Sequence, residues 1–252
     1  MIETAKYTTI MSQILKEASV GNFRLKKKVI PKGAELQMYN RNEGRLYWDR
    51  IDSDFPVVVL EEKVDDDWQV WMSDAPMEQE STMPAVEMAR GDVLICGLGI
   101  GLLPTLIKDK QSVKNIDIVE LNKEVIELVF NQIKTPKMNI IHADAWKYLA
   151  QTEKKYDFIH IDIWGSIYAP FKEISKAIEL SKRCLKPNGQ ARCWLQELYD
   201  RIAHKLPKKP MRSRGVGFYP PCLICGKTLR NDYAGLCMDC ADALGVSELF
   251  IQ

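Results

Sequence analysis

Apolar and polar positions along this chain follow a helical pattern first and a strand pattern afterwards. Apolar residues within 10–15 recur at helical spacing, which predicts a helix in roughly the first 20 residues. Across residues 23–74 the apolar positions form short alternating or continuous runs, such as 57–60, with turn residues between them. This second pattern predicts a small antiparallel sheet. Residues 77–89 are then predicted to form a helix.

Beyond residue 90 the chain alternates between short apolar runs and amphipathic segments, which predict buried strands and helices respectively. The predicted strands are 93–96, 115–119, 138–141, 156–161 and 191–195, and the predicted helices are 102–108, 123–133, 145–150, 170–184 and 196–205. Strands that alternate with helices at this spacing form right-handed βαβ units and a parallel sheet. We therefore expect an α/β fold with a Rossmann-like, doubly wound sheet behind a small N-terminal β region.

The composition is that of a soluble globular protein. Of the 252 residues, 46% are hydrophobic and 27% are charged. The chain contains no apolar run long enough to span a bilayer, and residues 1–4 do not have the pattern of a signal peptide. A cytoplasmic location without membrane association is therefore expected.

The sequence Gly97-Leu98-Gly99-Ile100-Gly101 lies between a predicted strand and a predicted helix, where a parallel sheet presents its ligand crevice. Glycines allow a sharp turn and the close approach of a ligand, and the N-terminus of the next helix attracts a polar or negative group. A tight turn without a ligand is the alternative. Leu102 stands where the dinucleotide motif has its third glycine, which favours S-adenosylmethionine over a dinucleotide.

Carboxylates follow the next two predicted strands. Glu120 ends the second strand, where an acid can hold both hydroxyls of a ribose. Asp144 follows the third strand, where its carboxylate can accept a hydrogen bond from an adenine amino group. Solvated strand-end carboxylates are the alternative. The predicted cofactor-binding residues are Gly97, Gly99, Gly101, Glu120, Asp144 and Ala145.

Residues 91–162, with this glycine turn, these two acids and Asp162, resemble a class I S-adenosylmethionine-dependent methyltransferase. More narrowly, residues 71–78 and 160–164 resemble a spermidine-synthase-like group of bacterial and phage genomes. That group shares a small N-terminal β region ahead of its Rossmann-like domain. The resemblance covers roughly residues 55–200, and it implies the class I methyltransferase fold with S-adenosylmethionine as the cofactor.

Departures from aminopropyltransferases argue against polyamine synthesis. Those enzymes carry an Asp-x-x-Asp-Pro stretch after the fourth strand, in which one acid is the base for the attacking amine. Here Asp162 keeps the first acid, whereas Gly165 and Ser166 replace the second acid and the proline. Ile100 stands where polyamine synthases have a further acid. The chain also offers no evident candidate for the antiparallel sixth and seventh strands of methyltransferases.

Asp162 is the predicted catalytic residue, either as a base or as a group that orients the acceptor substrate. Trp164 is predicted to line the substrate pocket, with core packing as the alternative. Asp74 and Glu78 are candidates for the same crevice, and a helix N-cap is the alternative role of Asp74.

The C-terminal residues contain two Cys-x-x-Cys pairs, Cys222/Cys225 and Cys237/Cys240. Four thiolates in this spacing predict a structural Zn²⁺ site, and a redox dithiol or disulfide is the alternative. Residues 201–230 carry eight Lys or Arg and no Asp or Glu, which favours a nucleic-acid partner. The alternative, given equal weight, is that this tail is a structural clasp, a segment that docks on the main domain and stabilises it.

The predicted division is an N-terminal helix and antiparallel β region (1–76), a Rossmann-like S-adenosylmethionine-binding domain (77–205), a basic linker (206–221) and a zinc-ribbon-like tail (222–252). The leading functional hypothesis is a methyltransferase of unknown acceptor. An aminopropyltransferase-like enzyme that uses decarboxylated S-adenosylmethionine is the first alternative. The second is a non-catalytic module that binds nucleic acid or a protein.

Overall fold

The N-terminal helix is shorter than the sequence predicts. In the computed structural model, which describes residues 1–164, 171–205, 211–212, 222, 224, 227, 236–244, 246–247 and 250–251, a 3₁₀ turn at Thr4–Lys6 precedes helix α1 at Ile10–Ile14. The chain becomes extended at Leu15, whose side chain is fully buried. A tight turn containing Gly21, with φ +54°, then pairs the next residues as a hairpin.

The antiparallel β region is confirmed. Its strands are β1 (Ala18–Val20), β2 (Phe23–Ile30), β3 (Glu35–Asn40), β4 (Arg45–Arg50), β5 (Phe55–Val64) and β6 (Asp67–Ser73). Four of them form one antiparallel sheet in the order β1-β2-β5-β6, and β3 and β4 form a separate hairpin.

The alternation of strands and helices after residue 75 is also confirmed. The elements are α2 (Pro76–Met88), β7 (Gly91–Cys96), α3 (Leu102–Ile107), β8 (Val113–Glu120), α4 (Lys123–Val125), a π-helical segment (Ile126–Phe130), α5 (Asn131–Ile133), β9 (Met138–His142), α6 (Ala145–Gln151), β10 (Tyr156–Ile161), α7 (Phe171–Lys182), β11 (Leu185–Cys193) and α8 (Gln196–Lys205). The five strands of this sheet are parallel, in the order β11-β10-β7-β8-β9. The strand order reverses between β7 and β10, so the sheet is the predicted doubly wound, Rossmann-like one.

The fifth parallel strand begins before the predicted range of 191–195. β11 already begins at Leu185 and includes residues 187–189, a Pro-Asn-Gly stretch typical of a turn. Its pairing with β10 jumps from Tyr156–Leu185 to Phe158–Gln190, because Asn188 adopts φ +64° and the turn residues bulge out of the ladder.

Apolar side chains cover both faces of the parallel sheet, as expected for strands buried on two sides. One cluster contains Leu94 and Ile159, and the opposite cluster contains Ile95 and Phe158. Seven buried residues of the described tail join the first cluster, namely Cys222, Ile224, Leu236, Cys240, Ala241, Leu244 and Val246. The described tail also includes α9 (Met238–Ala243) and a pair of two-residue strands, β12 (Met211–Arg212) and β13 (Phe250–Ile251). No helix within the described ranges is long and apolar enough to cross a membrane.

Candidate active site

A cavity of about 540 Å³ opens at the carboxyl ends of β7, β8 and β10, beside the point where the strand order reverses. Ligands of open α/β sheets bind at this position. The glycine turn, the strand-end acids and four of the six tryptophans of the chain contribute to its walls. Most of the predicted site residues therefore meet in one place.

Gly97 and Gly99 line this cavity, whereas Gly101 does not. All three have positive φ values, and a Cβ on Gly97 would lie 2.0 Å from the backbone oxygen of Asp162. At Gly101 the obstacle is Ile133, since a Cβ would lie 2.3 Å from its Cδ1. The structure thus places Gly101, a predicted cofactor-binding residue, outside the cavity lining: it is the N-cap of α3 and allows this helix to pack against α5.

Glu120, Asp144 and Ala145 all line the cavity. The Glu120 carboxylate accepts hydrogen bonds from the backbone N–H groups of Leu98 and Asn122, both at 2.8 Å. Asp144 caps α6, and its Oδ1 accepts a hydrogen bond from the Lys147 N–H at 3.1 Å. These bonds hold both acids in place at the mouths of β8 and β9.

Asp162 and Glu78 place two carboxyl groups in the same cavity. Burial raises the pKa of Asp162 to about 7. Burial also raises the pKa of Glu78 well above its usual range, and repulsion from the Asp162 charge raises it further. Neither carboxyl group has a hydrogen-bond partner within the described ranges. The pair is therefore poised to hold a proton or a cation.

Aromatic and imidazole groups form the walls near these two acids. Trp164 lines the cavity as predicted, and its buried Nε1 has no hydrogen-bond partner in the described part of the chain. The same holds for Nδ1 of His160, which is 3% exposed. Burial, aided by the charge of Arg192, lowers the pKa of His160 to about 3, so this ring is neutral. Trp194 donates from Nε1 to Ser81 Oγ at 2.8 Å.

Asp74, which was predicted to belong to the substrate pocket, is not among the residues that line the cavity. Its Oδ1 accepts a hydrogen bond from the Val58 N–H at 2.7 Å, which ties the end of β6 to β5. Burial raises its pKa to about 6. It is not the N-cap of α2 either, since Ala75 holds that position. Its neighbour Glu78, one turn into the helix, is the acid that reaches the cavity.

Several lining residues were missed by sequence reasoning, namely Trp71, Thr82, Trp146 and Trp194. Trp146 follows Ala145 directly, and this adjacency was a signal that could have found it. Sequence reasoning could not predict that Trp194 lines the cavity, because its position depends on the pairing of β11 with β10 and not on a local motif.

The charges that line the cavity are of one sign. The described lining residues include four acids, Glu78, Glu120, Asp144 and Asp162, and no Lys or Arg. Residues 165–170 lie outside the described part, and their sequence contains no charged residue. The cavity therefore favours cationic ligands over anionic ones.

A spermine/spermidine synthase domain model matches residues 77–202, which is half of the chain. The chain belongs to the spermine/spermidine synthase family. The family match covers the parallel sheet and the helix above the cavity, and it begins immediately before Glu78.

Two curated relatives in this family are polyamine aminopropyltransferases. The enzyme of Methanocaldococcus jannaschii is 38% identical over 78 residues, which are 28% of this chain and 27% of that protein. Polyamine aminopropyltransferase 1 of Streptomyces coelicolor is 27% identical over 119 residues, which are 42% of this chain and 22% of that protein. The chain thus spans about a quarter of the length of the curated relatives it matches.

Solved structures similar to this chain include two spermidine synthases. The Thermotoga maritima enzyme has a TM-score of 0.41 and 17% identity, over 63% of this chain and 62% of that one. A spermidine synthase in complex with the transition state analogue AdoDATO has a TM-score of 0.42 and 17% identity, over 70% of this chain and 72% of that one.

A second cluster lies in the tail. The sulfur atoms of Cys222, Cys237 and Cys240 lie within 4.8 Å of one another. The Cys237 N–H also donates a hydrogen bond to the Cys222 sulfur at 3.3 Å. Cys225, the fourth predicted ligand, and most of the basic segment 201–230 beyond residue 205 lie outside the described residues. Three thiols at this spacing suit a tetrahedral Zn²⁺.

Proposed function

We propose that this chain is an aminopropyltransferase, which moves the aminopropyl group of decarboxylated S-adenosylmethionine to an amine. The single observation that carries the proposal is the charge of the cavity: all charged residues in the described part of its lining are acidic. The family membership supports it, because both curated relatives are polyamine aminopropyltransferases.

Charge distinguishes the two possible donors. S-adenosylmethionine carries a carboxylate, which would need a cationic or hydrogen-bonding partner if it were buried. Glu78, Glu120 and Asp162 would repel it, and no Lys or Arg of the described lining would offset this repulsion. The decarboxylated donor carries a sulfonium and an ammonium, so its charges complement this lining.

Each acid has a role that fits its position. Glu120 has lone pairs left after accepting two backbone N–H groups, and these would hold the ribose hydroxyls. Asp144, at the carboxyl end of β9, would accept a hydrogen bond from the adenine amino group. Asp162 would take the proton that the acceptor nitrogen loses. As that N–C bond forms, the C–S bond of the donor breaks and its electron pair stays on sulfur, so the products are a substituted amine and methylthioadenosine.

Calorimetry with the two donors tests the proposal. We expect decarboxylated S-adenosylmethionine to bind at least ten times more tightly than S-adenosylmethionine. Mass spectrometry of acceptor amines incubated with either donor should show aminopropyl addition only. Tighter binding of S-adenosylmethionine together with a methylated product would overturn it.

Methyl transfer is the second candidate function, and one observation favours it. Ile100 occupies the place of the further acid of polyamine synthases, and its side chain is fully buried in the apolar core. Gly165 and Ser166 likewise replace the second acid and the proline of the family stretch. The same mass measurement separates the two reactions.

We also propose that the tail holds one structural Zn²⁺ through Cys222, Cys237 and Cys240, with Cys225 as the fourth ligand from sequence. The packing of the described tail against the main apolar cluster supports a clasp. Binding of nucleic acid by residues 201–230 remains a proposal on charge alone. Its test is a titration with duplex and single-stranded oligonucleotides, in which affinity should fall steeply with salt.

A further inference from the structure

The lining residues follow one another along the edge of the parallel sheet in the order of the strands that carry them. Asp144 comes shortly after β9, Glu120 ends β8, the glycine turn follows β7, and Asp162 follows β10. These four strands are neighbours in the same order. We call the part of the cavity from Asp144 to the glycine turn its cofactor side. A donor whose adenine lies at Asp144 and whose ribose lies at Glu120, as proposed above, places its sulfur and the attached chain over the glycine turn.

The side chain of Met72 lies directly on this turn. A Cβ on Gly99 would lie 2.1 Å from the Met72 Sδ and 2.9 Å from the terminal methyl carbon. The same sulfur accepts a hydrogen bond from the Ile100 N–H at 3.2 Å. Met72 and Gly99 both line the cavity, whereas the side chain of Ile100 is fully buried in the apolar core. Met72 therefore fills the space above Gly99 and takes up the N–H of the next residue.

A β-bulge in β6 brings this side chain to the cavity. Met72 pairs with Leu60 of β5 and Val70 pairs with Glu61, so Trp71 is an extra residue between the two pairs. Side chains of a regular strand alternate between its two faces, but Val70, Trp71 and Met72 all line the cavity. The position of Met72 on the turn is thus fixed by the pairing of these strands.

We propose that Met72 is a specificity-determining residue of the donor site, which favours a donor chain without a carboxylate. This inference rests on the proposed aminopropyl transfer and names a residue that discriminates between the two donors. A chain that passes Gly99 meets a thioether and a methyl group there, and the Ile100 N–H is already bonded. A carboxylate at this point would lose water without gaining a hydrogen-bond donor from the covered peptide, which is costly.

A thioether suits the chain of the decarboxylated donor. The sulfur and the methyl group of Met72 are polarisable and weakly polar, so they can pack against the methylene groups of an aminopropyl chain. A thioether sulfur can accept a hydrogen bond but cannot donate one, so it offers nothing to a carboxylate. This discrimination acts by contact at the glycine turn, and it adds to the discrimination by the charge of the acids.

Two adenosine thioethers that differ only in the carboxylate test this inference. S-adenosylhomocysteine carries the amino-acid chain, and S-adenosyl-3-thiopropylamine carries the same chain without the carboxylate. Both are thioethers and not sulfonium donors, so calorimetry measures their binding without turnover. The selectivity is the Kd of S-adenosylhomocysteine divided by that of S-adenosyl-3-thiopropylamine. We expect a selectivity of at least ten for the wild type.

Substitutions of Met72 should lower this selectivity. Met72→Gln should reduce it at least fivefold, because the amide oxygen can accept from the Ile100 N–H while the NH₂ group can donate to a carboxylate. Met72→Ala uncovers the turn and frees the Ile100 N–H, so it should change the selectivity in the same direction. Met83→Gln is the matched control, because Met83 is a 36% exposed residue of α2 that is not among the lining residues. It should leave the selectivity unchanged.

A purely structural role of Met72 makes a different prediction. Loss of packing alone would weaken the binding of both ligands equally and leave their ratio as it is in the wild type. That result in Met72→Gln and Met72→Ala would overturn the inference. Thermal unfolding shows whether each variant is folded, and Met72→Gln, which keeps the length of the side chain, decides the question if Met72→Ala does not fold.

The result is separable from that of the donor experiment. If the wild type prefers S-adenosylmethionine and methylates its acceptor, but Met72→Gln still shifts the ratio at least fivefold towards the carboxylate ligand, aminopropyl transfer fails and the role of Met72 survives. If the wild type prefers the decarboxylated donor and neither variant changes the ratio, aminopropyl transfer survives and the role of Met72 is rejected.

Discussion

The carboxylate of Glu120 accepts a hydrogen bond from the backbone N–H of Leu98 at 2.8 Å. The acid that ends β8 therefore holds the glycine turn that follows β7. Its second oxygen accepts from the Asn122 N–H, also at 2.8 Å, so the two loops that border the cofactor side are fixed by one side chain. Glu120 therefore orders the glycine turn, and it also lines the cavity in which we propose that the donor binds.

Replacing Glu120 with Gln should lower both the free energy of unfolding and the affinity for methylthioadenosine. The amide would present a donor to one of the two N–H groups, which leaves a buried donor unsatisfied and costs about 1–3 kcal/mol. We expect this loss in urea unfolding, together with at least tenfold weaker binding of methylthioadenosine in calorimetry. Glu127→Gln, on the exposed side of the following helical segment, should change stability by less than about 0.5 kcal/mol. Equal effects of the two substitutions would show that Glu120 does not organise the turn.

Gly97 should tolerate no side chain. A Cβ there would lie 2.0 Å from the backbone oxygen of Asp162, so the ends of β7 and β10 would have to separate. Gly33 is the matched control, because its φ of +83° is also positive but nothing lies within 4 Å of a Cβ there. We expect Gly33→Ala to cost about 1 kcal/mol from backbone conformation alone. Gly97→Ala should cost at least about 2 kcal/mol more, measured by chemical unfolding. Similar losses would mean that the strand ends move apart easily.

Local patterns were sufficient for the sheet and for the cofactor side of the cavity. Apolar runs predicted every parallel strand, because strands buried on both faces leave a continuous signal. Gly97, Glu120 and Asp144 were found because each follows a strand directly, and parallel strands end at one edge of the sheet. Asp74 was also predicted to belong to the site, but in the structure its carboxylate accepts a hydrogen bond from the Val58 N–H of β5.

The cavity wall beside Asp162 depends on contacts between distant parts of the chain, so local patterns did not predict it. Trp194 reaches the cavity only because β11 pairs with β10. A short stretch of sequence does not show which strands are neighbours in a sheet. Glu78 and Asp162 are separated by most of the domain, so their repulsion appears only when α2 is placed over β10. β11 also begins earlier than the predicted strand 191–195, because the strand continues through the bulge at Asn188.

Folding stability should fall as pH rises through the range in which Asp162 titrates. Burial raises its pKa in the folded state to about 7, above the usual value of about 4 in an unfolded chain. Below about pH 4 the group is neutral in both states. Between these values the unfolded chain releases the proton more readily, so the contribution of Asp162 to stability declines with rising pH.

Asp162→Asn should reduce this decline but not abolish it, because burial also raises the pKa of Glu78, which contributes a decline of the same sign in both proteins. The wild type should lose stability relative to the variant with a slope of up to about 1.4 kcal/mol per pH unit between roughly pH 4.5 and 7. The neutral His160 acts in the opposite direction, but it is present in both proteins and cancels in their difference. Asp66→Asn, at a fully exposed side chain, should leave the slope unchanged. Urea unfolding at several pH values measures these differences, and parallel curves for wild type and Asp162→Asn would refute the raised pKa.

Removing zinc should loosen the β3–β4 hairpin as well as the tail. The tail residues Cys222 and Ile224 share an apolar cluster with Tyr39 of this hairpin, and Gln37 donates a hydrogen bond to the Ile224 carbonyl at 3.4 Å. Protein purified without chelator should contain about one zinc per chain. Chelation should lower the melting temperature by about 4 °C or more, which corresponds to a loss of about 1–2 kcal/mol for a chain of this size.

Hydrogen exchange separates a clasp from an independent binding module. If the metal holds the tail against the hairpin, chelation should speed amide exchange across Glu35–Asn40 and Arg45–Arg50, because among the described residues these strands form a two-stranded sheet of their own and rely on packing for protection. Cys237→Ser should reproduce both the zinc loss and the faster exchange. Cys184→Ser is the control, since that thiol is not one of the three grouped sulfur atoms and its hydrogen bond to the Leu149 carbonyl can be kept by a hydroxyl. Faster exchange confined to the tail would instead indicate a zinc module that folds on its own, and the clasp would be rejected.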